Sequence, residues 1–130
     1  MIKKNLLKNF LIILSIFLFD RFTKLYIIFL SEKYNDLKIY SSKILNIELY
    51  WNTGIAFGLF SFSEVNFYNI LTAVIALIIF LLIIMFVNLN DFRKYPMLMI
   101  IGGAIGNFFD RIYYRAVPDF IDLHFYNFHW

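Results

Sequence analysis

Polar positions are sparse along this chain, and they fall in groups. An apolar run, Phe10–Phe19, gives way to Asp20, Arg21, Thr23 and Lys24, and apolar character resumes over Leu25–Leu30. The pattern predicts one helix from about Leu6 to Leu30. Lys3, Lys4 and Lys8 precede it. A basic start before an apolar run also describes a secretory signal peptide. No small-x-small cleavage site follows Phe19, however, and the apolar run continues after Lys24, so an uncleaved helix is expected. A second segment, Phe67–Val87, is uncharged and reaches the ~20 residues that a membrane-spanning helix needs. A third starts near Pro96, where proline suits a first helical turn, and runs to about Tyr113. Its Gly102, Gly103, Ala104 and Gly106 predict close helix–helix approach.

Between the first and second segments the period changes. Lys38–Tyr40 and Ile44–Trp51 are rich in β-branched and aromatic residues, with partial alternation through Leu45–Leu49. Short strands forming a small sheet are expected there. Tyr50 and Trp51 suit a headgroup layer.

Lysine and arginine placement orients the segments. Lys3, Lys4 and Lys8 assign the N-terminus to the cytoplasm, and Arg93 and Lys94 assign the short loop after segment two to the same side. Ser31–Asn66 then lies outside, with Lys33, Lys38 and Lys43 offset by Glu32, Asp36, Glu48 and Glu64. Segment three exits outward. On this threading three polar groups, Asp20–Lys24, Asn52–Gly58 and Gly102–Asp119, meet at the outer leaflet.

Composition agrees with lipid as the solvent. The chain is 62% hydrophobic, against about 45–50% for a soluble domain, and its mean hydropathy is +0.71. Its 130 residues bound it to a single integral membrane domain, 1–130. The net charge of +3 forms no basic stripe on a soluble fold, so nucleic acid is not expected as a partner. The absence of cysteine excludes disulfides, thiolate nucleophiles and cysteine metal sites. The expected fold class is an all-α membrane protein, a helical transmembrane bundle with a small extracytoplasmic β-rich segment.

Carboxylates inside a bilayer are costly and usually functional, so Asp20, Asp110 and Asp119 carry the candidate chemistry. Two facing carboxylates share a proton; one activates water while the other polarises a scissile carbonyl. Asp20 and Lys24 stand i, i+4, acid first, the favourable order for a helical pair. Asp110 precedes Arg111, and the plain reading is an ion pair or helix-end anchor. Asn52 holds a loop or a substrate backbone, and Gly54 supplies a backbone conformation that other residues resist. Asp119 follows Pro118 in an apolar stretch whose nearest basic residue is Arg115, and it is the better candidate for an active carboxylate. Ser15, Ser61 and Ser63 lack a His–Asp context. His124 and His129, five apart, are a poor ligand pattern, so neither metal nor cofactor is expected.

These residues fall into an ordered set of motifs. Asp20, Thr23 and Lys24 match Asp-x-x-Thr-Lys; Asn52, Gly54, Ala56 and Phe57 match Asn-x-Gly-x-Ala-Phe. Gly102, Gly103, Ala104, Gly106, Asn107, Asp110 and Arg111 match Gly-Gly-Ala-x-Gly-Asn-x-x-Asp-Arg; Val117, Asp119 and Phe120 match Val-x-Asp-Phe. Across residues 20–120 the chain resembles the bacterial prolipoprotein signal peptidases (signal peptidase II). The resemblance implies a four-helix inner-membrane aspartic endopeptidase with its active site at the outer leaflet. Such an enzyme removes signal peptides from diacylglyceryl-modified prolipoproteins, cutting just before the lipidated cysteine. It makes Asp119 catalytic, with Asp20, Lys24, Asn52, Gly54, Asn107, Asp110 and Arg111 shaping the site. The implied partners are those signal peptides and membrane lipid.

One family feature is missing from these residues. The second catalytic aspartate belongs to an Asn-x-x-Ala-Asp motif at the start of a fourth helix, and the 130 residues contain no such motif. The sequence is therefore read as a C-terminally truncated form carrying three of four helices. A frameshifted gene would account for the same absence, and so would Asp110 acting as the partner acid. The alternative function is a non-enzymatic small membrane protein, such as a transporter subunit or assembly factor.

Overall fold

The computed structural model describes residues 2–54, 65–89, 91–125 and 128–129, without the side chains of 2–5, 65–67 and 128–129. Ala56, Phe57, Gly58, Ser61 and Ser63 lie outside the described residues. The elements run α1 (Ile2–Tyr34), β1 (Lys38–Ser41), β2 (Leu45–Asn52), α2 (Val65–Val87), α3 (Lys94–Tyr114), β3 (Val117–Phe125) and β4 (Phe128–His129).

Each predicted segment is a helix, and each extends past its expected bounds. The 33 residues of α1 contain neither glycine nor proline, so nothing interrupts it. At 1.5 Å per residue it is about 50 Å long, more than the ~30 Å of a hydrocarbon core. It stops where Asn35 takes a left-handed conformation (φ 51°) and the Asp36 N–H reaches back to the Ser31 carbonyl (3.1 Å), a common helix C-terminus. Hydroxyls inside the helices return to the preceding turn: Ser15 to Leu11 O (2.7 Å), Thr23 to Phe19 O (3.0 Å) and Thr72 to Tyr68 O (3.0 Å).

In α2 the stretch Tyr68–Val87 is long and apolar enough to cross a membrane, and only 6% of its most apolar window is buried within the protein. The core helix of a soluble protein of this composition would be mostly buried. Here Ile70, Leu77, Phe80, Met85 and Val87 are all exposed.

α1 and α2 both pack on α3. Leu98, Ile101 and Gly102 lie in the core on one face of α3. A Cβ on Gly102 would stand 2.8 Å from Ile16 Cγ2, and one on Gly106 would collide with the Asp20 carboxylate. These two glycines, one turn apart, set the approach of the helices. Gly103 is different: a Cβ there meets nothing within 4 Å. The expected glycine seam is therefore Gly102 and Gly106, because Gly103 lies on another face of the helix.

The strands form one antiparallel sheet in the order β1-β2-β3-β4. The expected strands are β1 and β2, but the longest, β3, follows α3 and makes the β portion larger than an all-α reading allows. α3 ends at Arg115, left-handed at φ 58°, whose N–H bonds to the Arg111 carbonyl (3.1 Å). The chain then turns directly into β3. Asn46 opposes Asp122 and Ile47 opposes Ile121, the register shifts, and beyond the shift Tyr50 opposes Asp119 and Asn52 opposes Val117. Such irregularities commonly re-aim a side chain beside a functional site.

Candidate active site

The C-terminal half of α1 carries Asp20, Arg21 and Lys24 on the face that meets α3. Asp110 comes to them from α3 and is fully buried. Arg21 donates through both terminal nitrogens to the two oxygens of Asp110, Nη1 to Oδ1 and Nη2 to Oδ2 (2.7 Å), and also through Nη2 to Asp20 Oδ2 (2.7 Å). Lys24 Nζ donates to Asp110 Oδ2 (2.7 Å) and Asn107 Oδ1 (2.7 Å), and lies 3.0 Å from Asp20 Oδ1. Two carboxylates and two cations make a neutral quartet, and the Asn107 amide oxygen accepts a further hydrogen bond from the lysine. Buried charges persist only when paired and hydrogen-bonded in this manner. The guanidinium of Arg21 also lies over the ring of Phe109, 5.2 Å from its centroid.

The expected pairing of Asp110 with its neighbour Arg111 is not what the structure has. Successive helical residues point in different directions. Asp110 faces α1, while Arg111 reaches the other way, Nη2 to the Gly54 carbonyl (3.0 Å) and Nη1 to the Asn107 carbonyl (3.2 Å). The Asp20–Lys24 pair is present as expected.

Asn52, buried at the end of β2, connects the next layer. Its side-chain carbonyl accepts the Gly54 N–H (2.8 Å), and its amide donates to Asp119 Oδ2 (2.9 Å). Asp119 is exposed, near the start of β3. The bonds can be followed without a break: Asp119 to Asn52, Asn52 to Gly54, Gly54 to Arg111, Arg111 to Asn107, Asn107 to Lys24, Lys24 to Asp20 and Asp110. All eight site residues expected from sequence belong to one network.

Two members were not expected. Arg21 lay inside the first polar group without a role, although an arginine within an apolar helix is itself a signal. Tyr68 is 8% exposed and donates from its hydroxyl to the Arg111 carbonyl (3.1 Å), tying α2 to the end of α3. Nothing in the local sequence marks it, since it opens an apolar run.

A family model described as "Signal peptidase (SPase) II" matches residues 12–130. The chain belongs to the signal peptidase II family. It is 53% identical over 127 residues to a lipoprotein signal peptidase of Pelagibacter ubique (strain HTCC1062), covering 98% of this chain and 76% of that one. A lipoprotein signal peptidase of Wigglesworthia glossinidia brevipalpis is 42% identical over 125 residues, covering 95% and 80%. Among solved structures, one described as "Bacterial membrane enzyme structure by the in meso method at 2.3 A resolution" superimposes with a TM-score of 0.70 at 32% identity, over 93% of this chain and 74% of that chain. Family membership makes this a protease fold that works in membranes, and each of the four sequence motifs contributes at least one residue to the network.

Around the site, the sheet has two unlike sides. Asn46 is buried, donates to Asp122 Oδ2 (2.8 Å), and accepts from the Ser41 hydroxyl (2.8 Å), and His124 lies beside Asp122 at 3.6 Å. On the alternate positions of β3, Asp119, Ile121, Leu123 and Phe125 form an exposed row. His124 and His129, distant in pattern terms, are opposed in register across β3 and β4.

Proposed function

We propose that the chain is a multi-pass aspartic endopeptidase of the bacterial cytoplasmic membrane, acting on diacylglyceryl-modified prolipoproteins and cutting before the lipidated cysteine. The N-terminus is cytoplasmic, α1, α2 and α3 cross the bilayer as a helical bundle, and Asp119 stands at the outer leaflet. The observation that carries this reading is the placement of Asp119. It is an exposed end of a network whose other members, Asn107 apart, are buried or half-buried, and it heads an apolar row that suits a lipidated, apolar substrate.

In the proposed reaction Asp119 is one of two facing carboxylates. The ionised acid takes a proton from water as the oxygen attacks the scissile carbonyl carbon, and the protonated acid hydrogen-bonds the carbonyl oxygen. Collapse of the tetrahedral intermediate releases the signal peptide as a carboxylic acid and the mature protein as an amine. Asn52 orients Asp119, and Arg111 and Gly54 hold Asn52. The quartet below locks α1 to α3.

The partner acid is not Asp110, whose two oxygens are already held by Arg21 and Lys24. Asp20 is held by the same cations, and Asp122 points to the other side of β3, bonded by Asn46. As the resemblance implies, the reading assigns the partner to the family's Asn-x-x-Ala-Asp segment, which is not among these 130 residues. The test is a lipidated precursor peptide incubated with purified 1–130. Binding without cleavage is expected. Joining the Asn-x-x-Ala-Asp segment and fourth helix of a relative should restore cleavage, and Asp119→Asn in that form should abolish it. Turnover by 1–130 alone would show that no further acid is needed.

A further inference from the structure

At the end of the helices remote from Asp119, α1 and α3 bring two ammonium groups onto one phenol. Lys8 Nζ lies 5.4 Å from the centroid of the Tyr95 ring and 3.4 Å from its hydroxyl oxygen. Lys94 Nζ lies 5.2 Å from the same centroid. The sixteen residues from Lys94 to Asp110 put this corner about 24 Å along α3 from the buried quartet. Neither lysine has a carboxylate partner among the described residues. The nearby acid, Asp91, is taken by Arg93, whose Nε and Nη2 lie 2.8 and 2.7 Å from its Oδ2. The first turn of α3 holds no acidic residue; the Asp91 carboxylate lies just before it and accepts the Arg93 N–H (3.0 Å).

Two cations gathered about one ring raise the local positive potential, and an anion bound at this corner lowers it. The surroundings state which kind of anion. Tyr95 is 42% and Phe92 78% exposed, and one turn along the helices Leu11 and Met99 are exposed as well. A headgroup phosphate held at Lys8 and Lys94 would have apolar surface on both helices for its acyl chains. We propose that this corner binds the phosphate of an anionic phospholipid. In the orientation proposed above this corner faces the cytoplasmic leaflet, and the surface potential of its anionic lipid favours the same partner. The proposal does not depend on any role for Asp119.

The experiment is the thermal unfolding midpoint of the full 130-residue chain in neutral detergent. Phosphatidylglycerol, phosphatidylcholine or inorganic phosphate is added at equal phosphorus concentration. A rise with phosphatidylglycerol alone is expected. It should vanish in Lys8→Gln/Lys94→Gln and persist in Lys8→Arg/Lys94→Arg. Lys8 is exposed and Lys94 half-buried, and the single variant Lys8→Gln, expected to weaken the rise, provides a milder second test. An equal rise with phosphatidylcholine, or one that survives the double glutamine variant, would overturn the site. A rise with inorganic phosphate alone would overturn the lipid assignment in favour of a free-anion site.

Discussion

Asp110 and Asp119 stand nine residues apart, on either side of the end of α3, and the fold treats them oppositely. Asp110 is fully buried, gripped by Arg21 and Lys24. Asp119 is exposed and takes an amide hydrogen bond from Asn52. A carboxylate saturated by cations is a structural device, because its proton and lone pairs are committed. One presented to the exterior on a positioned strand is free to do chemistry. On the proposed function, sequence proximity to an arginine is a poor guide to which acid works; what sets Asp110 apart is that Arg21 and Lys24 of α1 occupy both of its oxygens.

The largest expected effect breaks the first half of that comparison. Asp110→Ala leaves Arg21 and Lys24 facing each other with one counter-charge fewer. Removing one side of a buried ion pair costs about 3–5 kcal/mol, and thermal unfolding in detergent should show the loss. Asp119→Asn should leave the same midpoint within about 0.5 kcal/mol, as exposed substitutions usually do, while removing cleavage in a form that has it. Equal destabilisation by both changes would mean that the two carboxylates are not divided into support and chemistry.

A smaller effect sharpens the helix contact beneath the quartet. Gly106→Ala drives a methyl group into Asp20, with Cγ only 2.9 Å away. Overpacking of this kind costs about 1–3 kcal/mol and should disturb the Asp20–Lys24 pair as well. Gly103→Ala meets open space. It should stabilise by about 0.5–1 kcal/mol through helix entropy alone. A difference in the sign of the midpoint shift between two glycines three residues apart is the readout.

Much of this was legible in the sequence, for identifiable reasons. The helices follow from long apolar runs, and β1 and β2 from β-branched and aromatic alternation. The eight site residues follow from ordered motifs. β3 was not foreseen, although Ile121-Asp122-Leu123-His124-Phe125 alternates strictly. Pro118 at its start obscured the period. The alternation is also inverted relative to a soluble sheet, with Asp122 and His124 partly buried and the apolar positions exposed. The ion-pair half of the Asp110–Arg111 reading failed because adjacency in sequence is not adjacency in space on a helix. Tyr68 could not have been found, since its role depends on where α2 meets the last turn of α3.

Tyr68 gives the next prediction in size. Tyr68→Phe removes one buried neutral hydrogen bond to the Arg111 carbonyl, which also accepts the Arg115 N–H. With that second donor in place, the loss should be about 1 kcal/mol. In a form with cleavage activity the turnover should fall more than this implies, because the bond fixes where α3 ends and β3 begins. Unchanged turnover with the expected loss of stability would confine Tyr68 to packing.

The smallest effect comes from a third carboxylate, which tests whether burial is what separates the other two. Asp91 has an arginine partner like Asp110, but both groups are exposed, with 43% and 67% of their side chains accessible. The hydrogen bond from Arg93 holds the Asp91 carboxyl below its ordinary value. A carboxyl lowered on folding contributes stability that is present above the unfolded pKa, about 3.9. That contribution is lost as the pH falls through the folded value. Asp91→Asn should thus differ from the parent only slightly at pH 7, and the two should converge in acid below about pH 4. High salt should remove the difference at neutral pH, since exposed pairs are screened. Were Asp91→Asn instead as damaging as Asp110→Ala, an arginine contact alone would account for the role of Asp110, and its burial between α1 and α3 would explain nothing.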